Sequence, residues 1–167
     1  AIISAIVSSY AVNISAWRAL PLKKLVEVPT YRSKTEFLLE TCKFLLYRRN
    51  QLKNFFSEEH FDALYAPFFA AWNHWVIKSF SDIPLVYTVH DPVLHSNESK
   101  FNQLMNVFVA KDIKAADKVV ILSSAFRKYV SEQYKKRDKD ILVLPHGTFE
   151  TYTEVGHNQT EASEWYR

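Results

Sequence analysis

Four short runs that are almost wholly apolar, "FDALYAP" (Phe61–Pro67), "PLVYTV" (Pro84–Val89), "KVVIL" (Lys118–Leu122) and "DILVLP" (Asp140–Pro145), recur with helical patterns between them. This alternation constrains the fold more than any other feature of the chain. Strands without a polar face are buried on both sides, the condition of a parallel sheet sandwiched by helices. The intervening segments supply those helices: aromatic Phe69–Phe80, a stretch from Phe101 to Ala115, and another from Ser124 to Lys136. The expected fold class is α/β, a parallel sheet with helices on both faces.

Upstream of residue 60 the pattern is weaker. "IISAIV" (2–7) and "LVEVP" from Leu25 read as short strands. From Lys34 to Phe56 the chain reads as its longest helix, with Phe37, Thr41, Leu45, Leu52, Phe55 and Phe56 at helical spacing and Arg48, Arg49 and Lys53 on the polar side. Lys43, Arg48, Arg49 and Lys53 fit a solvated face, or one that rests on an anionic membrane. Cys42, within the same pattern, reads as a small buried residue.

With 167 residues, 48% of them apolar, the chain has material for one packed domain, assigned to residues 1–150. Residues 151–167 lose the pattern and read as a tail or interdomain linker. A single cysteine excludes a disulfide framework and a multi-cysteine zinc site, and points to a reducing compartment. Two glycines, Gly147 and Gly156, leave no room for a Walker loop or a G-x-G-x-x-G fingerprint. No apolar run reaches the ~18–20 residues of a membrane span, and no signal peptide is recognisable. The net charge of +3 suits an anionic ligand or lipid surface and does not call for nucleic acid.

In a parallel sheet the right-handed crossovers bring the carboxyl ends of the strands to one edge, where ligands bind. His90-Asp91-Pro92, Ser123-Ser124 and Pro145-His146-Gly147 follow strands and fall at that edge. His90, Asp91 and His95 also suggest a metal site, because imidazole and carboxylate are suitable ligands. Pro92 between the two histidines keeps them off a shared helix face, and no metal is expected. His90 alone reads either as a turn histidine bonding local backbone or as a proton-exchanging side chain at the ligand edge. Asp91 before Pro92 has the form of a turn. Ser123 and Ser124 precede a helix, where a hydroxyl caps free N–H groups and an anion can be held. Phe68, Phe69, Trp72 and Trp75 are either core aromatics or a sugar-stacking or lipid-facing surface.

The order of the motifs adds a further reading. "FDALYAPFFAAWNHW", "IPLVYTVHDP", "ADKVVILSSAFRKYV" and "ILVLPHGTFETY" together resemble the amino-terminal half of a GT-B glycosyltransferase, most of all family 4 of the retaining enzymes that build bacterial cell-surface polysaccharides. The resemblance covers about residues 60–152. It implies a Rossmann-like acceptor-side domain, one half of a GT-B fold, and a nucleotide-sugar donor held mostly by a carboxy-terminal domain. It implies transfer with retention to a lipid-linked, lipopolysaccharide or other polysaccharide acceptor at the inner face of the cytoplasmic membrane. No cofactor or metal is implied. His90 matches the family histidine that projects into the cleft near the transferred sugar, the catalytic assignment. Asp91, His95, Ser123, Ser124, His146, Gly147 and Trp72 are assigned to substrate binding.

Two family features are missing from the sequence. The glycine-rich first loop is unrecognisable in "IVSSYAVNIS", and Glu154, Glu161 and Glu164 do not reproduce the paired glutamates of the donor domain. The chain is therefore expected to be an amino-terminal fragment, or one half of a two-chain enzyme, needing a carboxy-terminal domain or partner chain. The competing readings are a metal-dependent hydrolase using His90, Asp91 and His95, and a non-catalytic α/β interaction module presenting its aromatic helix.

Overall fold

All four apolar runs are strands in a computed structural model of the chain, which describes residues 2–68, 72–92 and 100–145. The elements follow in the order β1 (Ser4–Ser8), α1 (Ile14–Ala19), β2 (Lys24–Val28), α2 (Lys34–Lys43), a π turn (Phe44–Arg48) and α3 (Arg49–Phe55). Then come β3 (Leu64–Ala66), α4 (Asn73–Ser79), β4 (Leu85–Val89), α5 (Lys100–Ala115), β5 (Lys118–Ile121), α6 (Arg127–Tyr134) and β6 (Ile141–Val143). The fold is α/β, with parallel sheets flanked by helices as the alternation predicts. Two units are distinguished: Ala1–Phe61 with Trp75–Ser81, and Asp62–His74 with the chain from Asp82 onward.

The second unit holds a four-stranded, wholly parallel sheet in the order β3-β4-β5-β6. Its central strands carry the core. Leu85, Tyr87, Val89, Val119, Val120 and Ile121 are all buried, as strands covered on both faces must be. Ile113 and Ala116 beside them, with Val130 of α6, are buried too, and each large side chain so enclosed contributes about 1.5–3 kcal/mol. Asp117 secures the start of β4, its N–H donating to the Leu85 carbonyl and its carboxylate accepting from the Leu85 N–H, both at 2.8 Å.

The run from Ser124 begins as a 3-10 turn (Ser124–Phe126) before α6. That helix ends on Lys135, which takes the left-handed conformation (φ 55°) usually left to glycine. The Lys136 N–H reaches back to the Ser131 carbonyl at 3.1 Å to close the end.

The first unit pairs β1 with β2 in parallel across the short helix α1, which the sequence reading did not anticipate. Ser33 caps α2 by accepting from the Glu36 N–H at 3.2 Å. The long helix expected over Lys34–Phe56 is continuous, but its phase is not that of an α-helix throughout. Phe44, Arg48, Leu52 and Phe56 recur every four residues, a step that overshoots an α-turn by about 40°. The π turn at Phe44–Arg48 takes up this excess, so that Phe44, Leu52 and Phe56 are all buried. Phe56 packs edge-on against Phe61 and Phe80, with ring centroids 5.6 and 6.0 Å away.

This change of phase corrects three expectations. Leu45 and Phe55 are 39% and 47% exposed instead of joining the core, and Cys42 is exposed on the outward face. Arg48, expected on the polar side, is partly buried and donates to the Pro29 carbonyl at 3.1 Å and to Glu40. Among the described residues no helix is long and apolar enough to cross a membrane.

Candidate functional site

The carboxyl edge of the four-stranded sheet assembles around the end of β4. Registers Ala66↔Tyr87 and Val89↔Ile121 bring Pro67, His90 and Leu122 to the same edge. Thr88, buried, shares a 3.0 Å hydrogen bond with the Tyr65 hydroxyl across the strands, and this fixes the end of β3 beside β4. His90 is the first residue after β4 and is exposed. Its Nε2–H donates to the Pro67 carbonyl at 2.7 Å, and its ring stacks on Phe68 with centroids 5.0 Å apart and planes at 18°. Donation to a carbonyl requires the proton on Nε2, so in the neutral ring Nδ1 carries the lone pair. The imidazole is thus held in one tautomer and one plane, able to accept a hydrogen bond at Nδ1 or, once protonated, to donate one.

The other expected site residues separate. Asp91 follows His90 and is exposed, while Pro92 turns inward and is buried. Ser123 is used as a cap: its Oγ accepts from the Ala125 N–H at 3.3 Å. Ser124 is exposed and lines a depression with Arg127, Lys128 and Ser131. Asp138 and Glu132 answer the cations there at 2.9 and 3.9 Å, which leaves little attraction for an anion. Trp72 is only 5% exposed and belongs with the buried residues, the core alternative for the aromatic set. His95, His146 and Gly147 lie outside the described residues, as do residues 69–71 of the expected aromatic helix and the tail from 151. Among the described residues no three His, Cys, Asp or Glu side chains gather as metal ligands.

Sequence reasoning missed one polar cluster altogether. His74 of α4 and Asp112 of α5 are 6% and 3% exposed, with Nδ1 and Oδ1 2.5 Å apart. The signal was legible: Asp112 stands four residues after Phe108 and four before Ala116, on the apolar stripe of its helix, where a carboxylate demands a partner. Tyr87 is 1% exposed, and its hydroxyl has no hydrogen-bond partner among the described residues. Burial, reinforced by the Asp112 carboxylate, pushes that phenol far above its usual range.

Comparison with known proteins agrees with this architecture. A family model described as Glycosyltransferase Family 4 matches residues 11–148, which is most of the chain. No curated protein matches it.

Proposed function

Because the chain belongs to Glycosyltransferase Family 4, we propose that it is the acceptor-side domain of a retaining glycosyltransferase of the GT-B type. Its donor would be a nucleotide sugar, and its acceptor a lipid-linked or polysaccharide glycan met at the inner face of the cytoplasmic membrane. A carboxy-terminal domain or partner chain would hold the donor nucleotide. In such a transfer C1 of the sugar gains positive charge while a phosphate leaves as an anion, so the useful groups are those that interact more strongly with that charge distribution than with the ground state.

The observation that carries the reading is His90, set at the carboxyl end of a buried strand and fixed by Pro67 and Phe68. An imidazole so oriented offers a polar contact to a sugar hydroxyl beside the reacting carbon without itself forming a bond. Asp91 supports the turn, and Ser123, by capping the segment after β5, keeps the edge open. The reading calls on no metal.

The test is transfer by the complete protein from a nucleotide-sugar donor, followed by NMR of the first product. The expected result is a retained anomeric configuration, activity that survives chelation, and a drop in kcat of at least tenfold for His90→Ala with an unchanged circular dichroism spectrum. Inversion at C1, or near-normal turnover of the variant, overturns the assignment.

A further inference from the structure

The long helical segment of the first unit carries leucines on its outer side as well as its inner one. Leu38 and Leu39 of α2 are 66% and 56% exposed, and Leu45 and Leu46 of the π turn 39% and 76%. The two pairs are seven residues apart, two helical turns, and so lie along one face. Cys42, also exposed, sits between them. The same line continues into cations at both ends: Lys34 is one turn before Leu38, Arg49 one turn after Leu45, and Lys53 one turn beyond Arg49. None of these three makes an ion pair among the described residues.

The carboxylates stand on a different line and are occupied. Glu36 accepts from the Arg32 N–H at 2.7 Å, and Glu40 is claimed by Lys43 at 2.6 Å and by Arg48, which hold its carboxyl below the usual range. The segment has five cations, Lys34, Lys43, Arg48, Arg49 and Lys53, against Glu36 and Glu40, a net charge of +3 that equals the excess of the whole chain.

We infer that this outer face, Lys34 to Lys53, is a docking surface for an anionic lipid bilayer. A row of leucines bounded by Lys and Arg is the pattern of a helix lying in the interface plane, where apolar side chains enter the acyl boundary and the cations meet phosphate. The free cations lie in line with the leucines and no carboxylate shares that line, so the charge favours an anionic lipid over a neutral one. The inference rests on the reading above, in that a lipid-linked acceptor would be met on that surface.

The experiment is sedimentation of the chain with vesicles of phosphatidylcholine alone and with about one third phosphatidylglycerol. Binding at least tenfold stronger to the anionic vesicles, weakening as salt is raised, is expected. The triple variant Leu38→Ser, Leu39→Ser, Leu46→Ser should lose at least tenfold in that binding, and Arg49→Glu with Lys53→Glu severalfold, with circular dichroism unchanged because all of these side chains are wholly or partly exposed. Absence of binding, equal binding to both vesicle types, or anionic binding untouched by the serine variant overturns the proposal. So does a dimer in solution that the serine variant makes monomeric, because a second copy then covers the face. Vesicle binding that persists while the complete protein transfers no sugar to any acceptor counts against the functional reading and leaves the docking surface standing.

Discussion

The two sheets are built by the same parallel pairing and differ in what their strands bury. In β4 and β5 nearly every residue is enclosed, whereas every residue of β1 keeps partial exposure and in β2 only Val28 is buried. The four-stranded sheet therefore stands on continuous apolar burial, and the two-stranded one borrows its firmness from what packs beside it, notably Phe44, Leu52 and Phe56. The ligand edge with His90 belongs to the firmer of the two. A histidine held in one tautomer needs strands that do not breathe, and β4 has a neighbour on each side.

Substitutions should expose this difference. Ile121→Ala, at a fully enclosed position of β5, is expected to cost about 3–4 kcal/mol in urea unfolding, against about 1 kcal/mol for the half-exposed Ile6→Ala in β1; equal losses would erase the distinction between the sheets. Next in size is Asp112→Ala, which strips a buried histidine of its carboxylate and should cost about 2–3 kcal/mol. The corresponding Glu40→Gln in the first unit, next to solvent, should cost less.

A smaller effect is tied to pH. Lys118 at 2.7 Å and Arg137 at 2.6 Å, both bonded to Asp140, hold its carboxyl at about 2 instead of 3.8. A lowered folded-state pKa means stability that is complete above the unfolded value and lost as pH falls through the folded one. Hydrogen exchange of β5 and β6 amides should therefore quicken from about pH 4 down to about 2 relative to β1, once corrected for the intrinsic rate, and Asp140→Asn should flatten that difference. The smallest effect is at Lys135, where a side chain occupies a left-handed cap: Lys135→Gly should stabilise by about 0.5–1 kcal/mol in thermal unfolding.

The same contrast explains what could be read from the sequence. "PLVYTV" and "KVVIL" are legible because a strand buried on both faces has nothing polar to blur it. "KLVEV" mixes Lys24 and Glu27 with valines because its faces are half wet. The long helix was found but its inner face misassigned at Leu45 and Phe55, since a π turn leaves no mark in an apolar pattern that assumes one period. His90 was found by its place after a strand. The His74–Asp112 pair escaped because it joins residues 38 apart, and only the apolar neighbours of Asp112 hinted that it needed a partner.

The π turn also makes the first unit's helix a counted object. Deleting one residue between Phe44 and Arg48 would let the helix relax to a uniform period, and everything after it would rotate by about 100°. Leu52 and Phe56 would swing out of the core, and Arg49 and Lys53 would leave the line of the leucines. A substitution there alters one contact, but a change of length reassigns both faces at once. Insertions and deletions at this point should be tolerated far less than point changes.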